Sequence, residues 1–527
     1  MEDGLNLPFL LLYLLLPLLF SPFTSHPGTL SLTLSILLVT LSFLLFTLAL
    51  FTGKRSLYFS PLLLLLPLHF FTLLISLSVS PFPVIATGYT LFYSLFFLVF
   101  FLSSQGLNFE ERRYFIYPLI GVLFVFLLQL LGVPVGGRDY SSTLGQKNLF
   151  ALYLSLFSLI AFHYGKKNKF LTLFIILFSL FALILSRSRS GWLTFIFIFG
   201  IYLFLFSSHK KLVLSILIGA GLILSSLILV NFYQRYKTFK APHRLTIPFR
   251  ILVWKSGWEM FKDRPILGWG RGTFPFIFPR YRKKELEKFV PSDTMQAPRA
   301  HNEYLQVLVE EGVVGGVIFL SFWGLVLREI YKRKDYLNFS LIAGLLFHGL
   351  FSVSLRYPVF LFLLHYWGGK SIRMRKVPVS SWVRGSLLIF SSLAFLVALP
   401  VSSRIFLADY FLKKGEDMAR KGDILKSEGY LEKAEKLNPY SPRILYRMGK
   451  IKFLRGDLPG AEKAYRRIVE LAGDYVEVHA NLARVYFYEG KFKEAIEELE
   501  KAKAVHPGLR KYEKMQEFIQ NRWKSGQ

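Results

Sequence analysis

The chain has 527 residues, of which 53% are hydrophobic and 54 are phenylalanine, and its formal net charge is +30. This composition is too apolar for a wholly soluble protein and predicts a membrane protein, because uncharged apolar runs of about 18 residues or more can cross a bilayer. The basic excess lies mostly in short loops between such runs, which the positive-inside bias explains better than nucleic-acid binding. With no cysteine, the sequence offers no disulfide, thiolate nucleophile or cysteine metal site.

The apolar runs predict an all-α, polytopic membrane protein of about 12–13 spans. The N-terminus has no basic region, so the first run is predicted to be a span rather than a cleaved signal peptide. The twelfth run is short, and it is compatible with a broken or re-entrant segment formed with the eleventh. The predicted spans are residues 8–23, 29–51, 57–79, 82–103, 114–133, 148–164, 169–186, 191–207, 211–232, 304–327, 337–355, 358–369 and 382–404.

The loops alternate in charge along the chain. Those after spans 2, 4, 6, 8 and 10 are rich in Lys and Arg, whereas the alternate short loops hold few. The positive-inside rule therefore predicts a cytoplasmic N-terminus and places the large loop at 233–303 on the opposite face. Residues 233–302 of this loop hold fifteen Lys and Arg against five Asp and Glu, so the loop is suited to holding an anion.

The spans hold almost no ionisable residues except histidines, so we expect no buried ion-coupling site. The histidines concerned are His69, His163, His348 and His365. Ion-coupled transporters use buried charged groups, and the pattern therefore disfavours transport.

The tail from about residue 408 is charged and repeats every 34 residues. Gly422, Gly456 and Gly490 lie in phase, and a Pro or Gly closes each unit. This pattern predicts a soluble α-solenoid of tetratricopeptide repeats, outside the membrane on the same face as the large loop. The sequence thus divides into a membrane domain at 1–405 and a repeat domain at 408–527. Repeat arrays present a concave surface for partners, so the tail either docks a protein or caps the fold.

Three polar clusters could carry chemistry, and the first lies between spans 7 and 8. Arg187 and Arg189, in the run at 186–191, break the positive-inside rule because both fall on the outer side. Arginine binds two phosphate oxygens at once through its planar fork, which suggests an anion clamp at the membrane surface. An ordinary turn with solvated arginines is the alternative.

The second cluster lies within the large loop. Residues 250–260 have helical periodicity, with Arg250 and Trp254 one turn apart, and a Pro and Gly cluster containing Gly268 and Gly270 predicts a rigid turn after them. The spacing of these glycines does not fit a dinucleotide-binding loop, and no βαβ context exists. Further candidate phosphate contacts in the loop, most of them expected to be solvated or to face lipid headgroups, are Arg244, Arg271, Arg280 and Arg299.

The third cluster is His301, Asn302 and Tyr304, at the start of the helix that leads into span 10. Histidine is suited to act as a general base near neutral pH. An isolated histidine is commonly structural, but this one is predicted to lie at the outer face beside two arginine clusters.

Taken in order, these motifs resemble the O-antigen ligase / O-antigen polymerase superfamily over roughly residues 140–355. The matching runs are 145–151, 188–191, Arg250 with Trp254, 263–270, and 301–312. One departure is Ser352, which stands after the run 348–351 where the family often has an acidic residue. The resemblance implies an all-helical membrane glycosyltransferase with one large periplasmic loop, in the bacterial inner membrane.

The resemblance also implies a mechanism. An undecaprenyl-diphosphate-linked glycan would be the donor, and Arg189 and Arg250 match the arginines proposed to engage its diphosphate, with Arg187 as a further candidate. His301 matches the histidine proposed to act on the acceptor hydroxyl. A single displacement by that hydroxyl would invert the anomeric centre. The loop has no Asp-x-Asp motif, so we expect no metal requirement, and we expect no other cofactor.

The acceptor stays open at this point. Lipid A-core as acceptor would make the protein an O-antigen ligase in lipopolysaccharide biosynthesis, whereas a second lipid-linked glycan would make it a polymerase. A protein Ser or Thr held by 408–527 would make it an O-oligosaccharyltransferase. The non-enzyme alternative is a lipid-linked glycan transporter.

Overall fold

The computed structural model describes residues 2–19, 29–133, 141–165, 169–211, 215, 219, 246–288, 299–506 and 509–526. The predicted ninth span at 211–232 lies almost entirely outside these ranges, as do Arg244 and the loop segments 233–245 and 289–298.

The first part of the chain is a bundle of apolar helices. In chain order they are α1 Glu2–Leu15, α2 Thr29–Phe51, α3 Leu65–Ser78, α4 Pro83–Ser104, α5 Glu111–Tyr114, α6 Ile116–Leu130, α7 Lys147–Tyr164, α8 Lys169–Leu185, α9 Arg189–Phe206, α10 Thr246–Asp263, α11 Phe274–Ile277, α12 Glu303–Lys332, α13 Tyr336–His348, α14 Pro358–Ser371 and α15 Ser381–Arg420. Among the described residues, 7 helical segments are long and apolar enough to cross a membrane. The all-α, polytopic fold class is therefore confirmed.

The hydroxyl groups inside these helices are satisfied locally. Ser35 donates to the Ser31 carbonyl at 2.8 Å and Ser42 to the Leu38 carbonyl at 2.7 Å. A bilayer core offers no water for unpaired polar groups, so such bonds let serine lie within an apolar span. A hydroxyl pair also links two helices, since Thr47 of α2 lies 2.5 Å from Ser391 of α15.

The short predicted span at 358–369 is helix α14, and it lies in the middle of the bundle. All residues from Val359 to Gly369 are buried. A helix that is apolar on every side belongs in a core. Its approach to α4 needs a glycine, because a Cβ on Gly369 would lie 2.2 Å from the Phe100 carbonyl oxygen.

Two short strands close one face of the bundle. Strand β1, Leu57–Phe59, pairs antiparallel with β2, Arg375–Val377, with Leu57 opposite Val377. Strand β1 occupies the first residues of the predicted span 57–79, so the candidate span begins later, at Pro61. Lys54 and Arg55 precede β1, and β2 lies in the basic segment 370–384 after span 12, so the charge pattern assigns both strands to the cytoplasmic face. The pairing places both on one side of the bundle.

The tail forms paired helices, as the 34-residue period predicts. After α15 come α16 Ile424–Leu437, α17 Pro442–Leu454, α18 Leu458–Ala472, α19 Val478–Tyr488, α20 Phe492–Val505 and α21 Arg510–Gly526. The phased small residues lie where helices meet: a Cβ on Gly449 would come within 2.7 Å of Tyr465, and Ala461 is fully buried. Helix α15 runs without interruption across the proposed domain boundary at 405–408.

The repeat helices dock on the large loop through the turn between α18 and α19. Asp474 accepts a hydrogen bond of 3.0 Å from Nε of Arg280, and Tyr475 stacks on Phe276 with the ring centroids 5.8 Å apart. His479 joins Asp474 to Glu498 through its two ring nitrogens, at 2.9 and 2.6 Å. Burial opposes the charge on this imidazole, but the two carboxylates raise the pKa of His479 to about 9.

We predict that charge reversal at this joint loosens the docking and that a charge swap restores it. Asp474→Arg would face Arg280 and leave His479 with one carboxylate, so the pKa of His479 should fall. The ion pair is half exposed, so we expect a loss of about 1 kcal/mol. Limited proteolysis of the protein in nanodiscs measures the effect. Asp474→Arg should be cleaved faster than the wild type, and Arg280→Asp with Asp474→Arg should be protected again; equal cleavage of all three proteins would show that the pair does not hold the joint.

Candidate active site

Helix α12 is broken at Gly312, and the loop at 265–270 fills the break. Gly312 has φ +67° and ψ −168°, so the helix ends there and restarts at Val313. The Val313 N–H donates to the Pro265 carbonyl at 2.7 Å, and the N–H groups of Trp269 and Gly270 donate to the carbonyls of Val309 and Glu310 at 3.0 and 2.9 Å. Backbone groups left open by the break are therefore paired with the loop, as an apolar surrounding requires.

The glycines of the two motifs are needed for this contact. Gly268 has φ +69°, and a Cβ there would lie 2.5 Å from the Glu310 carbonyl carbon. A Cβ on Gly312 would lie 2.1 Å from the Ile266 carbonyl oxygen. Gly270 has φ +101°, and a Cβ there would lie 2.5 Å from the Ser80 hydroxyl. Glycine alone combines positive φ with such a close backbone approach.

A buried ionic cluster lies beside the break. Arg356 contacts Glu303 at 3.1 Å and Glu310 at 2.8 Å, while Arg271 is paired with Glu311. All five side chains are less than 10% exposed. Each carboxylate thus has a guanidinium partner, without which its burial would be strongly unfavourable.

The cluster corrects two expectations. The spans were expected to hold almost no ionisable residues, but Glu310 and Glu311 lie inside the predicted span 304–327. Arg271 was a candidate phosphate contact in a set expected to be mostly solvated or headgroup-facing; it is 5% exposed and also stacks over Tyr93 at 3.7 Å. The adjacent acids in an apolar run were the signal for this cluster, because a membrane helix keeps a charge only where a partner meets it.

His301 lies on a strained turn held by its neighbours. Its φ is +55°, which is uncommon for a residue with a side chain. Asn302 caps α12 by accepting a hydrogen bond from the Leu305 N–H at 3.0 Å. Trp254 donates its indole N–H to the Ala300 carbonyl at 2.8 Å, and the Tyr304 hydroxyl donates to the Leu346 carbonyl at 2.9 Å. The predicted supporting residues Asn302, Trp254 and Tyr304 thus fix the backbone around the imidazole.

Arg189 begins α9, and its position follows from the motif around it. Ser188 caps this helix, accepting from the Gly191 N–H at 3.2 Å, and donates to Asn148 at 2.8 Å. A Cβ on Gly191 would lie 2.2 Å from the Ala151 Cβ, so α9 lies close against α7. Arg187, two residues earlier, is exposed with φ +50°. The two motifs at 145–151 and 188–191 are therefore in direct contact, and Arg189 is half-buried.

Two arginines lie near His301, and a third, Arg189, lies near one of them. Arg250 donates to the Phe351 carbonyl at 2.9 Å, and Arg299 lies over the Tyr357 ring at 4.7 Å. Burial and the nearby charge of Arg189 lower the pKa of Arg250. Burial, then Arg250, then Arg299 lower the pKa of His301 to about 4. Arg250 and Arg299 are thus near enough to His301, and Arg189 near enough to Arg250, for their charges to act on those groups.

The charge around His301 is unbalanced, in contrast to the paired cluster beneath it. Across the described ranges, no carboxylate lies within ion-pair distance of Arg250 or Arg299. Nη1 of Arg299 is buried without a hydrogen-bond partner in the same part of the chain. Such a site can hold an anion of two charges beside an imidazole that is neutral at pH 7. Arg299 is the third cation of the site, and the sequence named it without distinguishing it from its solvated neighbours.

Comparison with protein families agrees with this geometry. A family model described as O-Antigen ligase matches residues 174–320, and one described as Tetratricopeptide repeat matches residues 452–516. The first match contains Arg189, Arg250 and His301. No curated protein matches the chain. The resemblance inferred from the motifs is confirmed: the chain is a multi-pass membrane protein with one region that matches the O-antigen ligase model and one that matches the tetratricopeptide repeat model.

We predict that Gly312→Ala destabilises the protein whereas Gly324→Ala, later in the same helix, does not. A methyl group at position 312 would clash with the Ile266 carbonyl, and the backbone there has a positive φ. A Cβ on Gly324 would meet nothing within 4 Å. We expect a cost of about 2 kcal/mol or more at Gly312 and a change within about 1 kcal/mol at Gly324. Thermal unfolding in detergent, followed by tryptophan fluorescence, measures both. Equal melting temperatures for the two variants would show that the break does not depend on this contact.

Proposed function

We propose that this chain, with its O-antigen ligase region, transfers a glycan from an undecaprenyl-diphosphate-linked donor to an acceptor hydroxyl at the periplasmic face of the inner membrane. Lipid A-core is the proposed acceptor, which makes the activity O-antigen ligation. The observation that carries the proposal is the positive charge of Arg250 and Arg299 beside His301, whose imidazole is neutral at pH 7, with Arg189 near enough to act on Arg250.

The proposed reaction is a single displacement. Arg189 and Arg250 bind the diphosphate and neutralise the charge that grows on it as the bond to the anomeric carbon breaks. His301 accepts the proton of the acceptor hydroxyl while its oxygen forms the new bond to that carbon. The diphosphate leaves with the bonding electron pair, and the anomeric configuration inverts. We assign the donor contact to Arg189 rather than Arg187, because Arg187 is exposed.

Contacts in the fold support the proposed orientation. The β1–β2 ladder joins two loops whose basic residues mark the cytoplasmic face. At the opposite ends of the same helices, Thr29 of α2 donates a hydrogen bond of 2.5 Å to Asp409 of α15, just before the repeats. Arg280 and Asp474 join the repeats to the large loop. We therefore propose a cytoplasmic N-terminus, with the loop at 233–303 and the repeat domain at 408–527 both in the periplasm.

A protein acceptor is the second candidate, because the repeats contact the loop that carries Arg250. A solenoid in that position could present a Ser or Thr of a bound protein to the site. This version keeps the donor, the arginines and His301 and changes only the acceptor.

The test is transfer by the purified protein in nanodiscs with an undecaprenyl-diphosphate glycan. Lipid A-core, a periplasmic acceptor protein and donor alone are supplied in parallel. Product on lipid A-core supports ligation. Product on the protein or longer glycan on the donor lipid would replace it with oligosaccharyltransferase or polymerase activity, and absence of product in all three reactions would favour transport of the lipid-linked glycan.

We predict that His301→Asn abolishes transfer without unfolding the protein. Asparagine adopts positive φ more readily than most residues, so the turn should survive while the base is lost. Initial rates and melting temperature are measured together. A stable His301→Asn protein with wild-type rate would remove His301 from the mechanism.

The arginines provide a matched pair of variants two residues apart. Arg189→Gln should lower kcat about 10²–10³-fold, the scale of losing one charge-stabilising donor. Arg187→Gln should keep the rate within about threefold, since an exposed arginine contributes little. The reverse order of the two effects would move the donor contact to Arg187.

The pH dependence follows from the lowered pKa of His301. Its imidazole is neutral above about pH 4. When the pH falls through that value the imidazole is protonated and can no longer act as a base. The acid limb of kcat/KM should therefore lie near pH 4 rather than near the usual histidine value of about 6.5. Arg299→Gln removes one of the charges that lower this pKa, so the limb should move to higher pH. A limb at the same pH in both proteins would mean that another group controls it.

A further inference from the structure

A groove of about 890 Å³ lies between α10 and the start of α12, and Asn302, the residue after His301, forms part of its wall. Its wall includes the two indoles of α10, three lysines and the helix cap at Asn302. The residues that define it here are Trp254, Lys255, Trp258, Glu259, Lys262 and Asn302. The mechanism proposed above uses none of the charged side chains in this groove.

The two indoles lie on the same face of α10 as Arg250 and follow it along the helix. Arg250, Trp254 and Trp258 are spaced four residues apart, so they follow one face of α10 at steps of about 6 Å. Trp258 is 47% exposed, although tryptophan usually buries most of its surface. Trp254 is half-buried, and its N–H is bonded to the turn that holds His301. The groove therefore runs along α10 over two aromatic rings, and Arg250, the proposed diphosphate contact, lies one helical turn before the first of them.

The polar groups suit hydroxyls rather than an acyl chain. Lys283 and Glu259 form an ion pair of 2.6 Å at the wall. Lys255 and Lys262 have no ion pair in the described part of the chain, which leaves their ammonium groups available as donors. A pyranose ring has an apolar face of C–H groups, which packs on an indole, and a rim of hydroxyls, which pairs with ammonium and carboxylate groups. Lysines also suit sugars that carry carboxylates or phosphates.

We infer that this groove binds the glycan of the donor, with its second and later sugars lying over Trp254 and Trp258. The inference rests on the proposed function and adds the place and class of its substrate. A sugar joined to a diphosphate at Arg250 must extend from that point, and the two indoles follow Arg250 along the helix. A sugar residue is about as long as the distance between residues four apart on α10. Consecutive sugar rings can therefore pack on consecutive indoles.

Binding is tested first, without any transfer. Soluble oligosaccharide cleaved from the donor is titrated into the purified protein, and tryptophan fluorescence is followed. The expected result is a saturable change that is absent in Trp258→Ala and retained in Trp382→Ala, whose indole is 78% exposed at the start of α15. Saturable binding of soluble lipid A-core oligosaccharide instead of the donor glycan would assign the groove to the acceptor and overturn the inference.

Kinetics then separates the groove from the catalytic site. Donors that carry one sugar and a complete glycan are compared. In Trp258→Ala the ratio of kcat/KM for the long over the short donor should fall about tenfold, mainly through KM, which is the scale of one aromatic contact. Lys262→Gln should lower the same ratio in the same direction, and Trp382→Ala should not change it.

The two proposals fail in different ways. An unchanged ratio in Trp258→Ala, in an enzyme that transfers both donors, would overturn the groove assignment and leave the transferase intact. Absence of transfer by the wild type would overturn the proposed function, while glycan binding sensitive to Trp258 would still show a sugar groove. A melting temperature equal to that of the wild type excludes misfolding of Trp258→Ala as the cause.

Discussion

The requirement that every backbone polar group be paired in an apolar surrounding shapes the centre of this molecule. The break at Gly312 would leave N–H and C=O groups of α12 without partners, and the loop at 265–270 supplies them. Two motifs separated by about 45 residues are thereby one structural unit. Because the first half of α12 is held by this unit, the turn at His301, where that half begins, has a fixed position relative to α10 and Arg250.

Electrostatics divides the region around α12 into a compensated part and an uncompensated part. In the first, Glu303, Glu310 and Glu311 meet the guanidiniums of Arg271 and Arg356, so their charges are compensated. This pairing matters for the second, because carboxylates that are already paired do not neutralise Arg250 and Arg299 near His301. Burial and the charges of these two arginines lower the pKa of His301, and the same charges can attract an anion.

The repeat region packs against the membrane bundle and the large loop instead of being joined to them by a linker alone. Helix α15 continues from the bundle to the first repeat without a flexible linker, and the α18–α19 turn meets the large loop at Arg280 and Phe276. A rigid attachment of this kind limits where a bound partner could lie. The contacts of Arg280 and Phe276 with the repeats also hold the large loop from a second side, in addition to its contacts with α12.

The sequence by itself determined the helical bundle, the positions of most of its helices and the repeat tail, because apolar length and a 34-residue period are local properties of the chain. It also named Arg189, Arg250 and His301, since their motifs are recognisable without coordinates. Only the tertiary structure decided which cations surround the histidine: Arg299 joins them, Arg187 is exposed, and Arg271 is buried among carboxylates. The burial and charge balance of each arginine are set by partners that are distant in the chain. Both properties therefore depend on tertiary packing, which no local sequence pattern encodes.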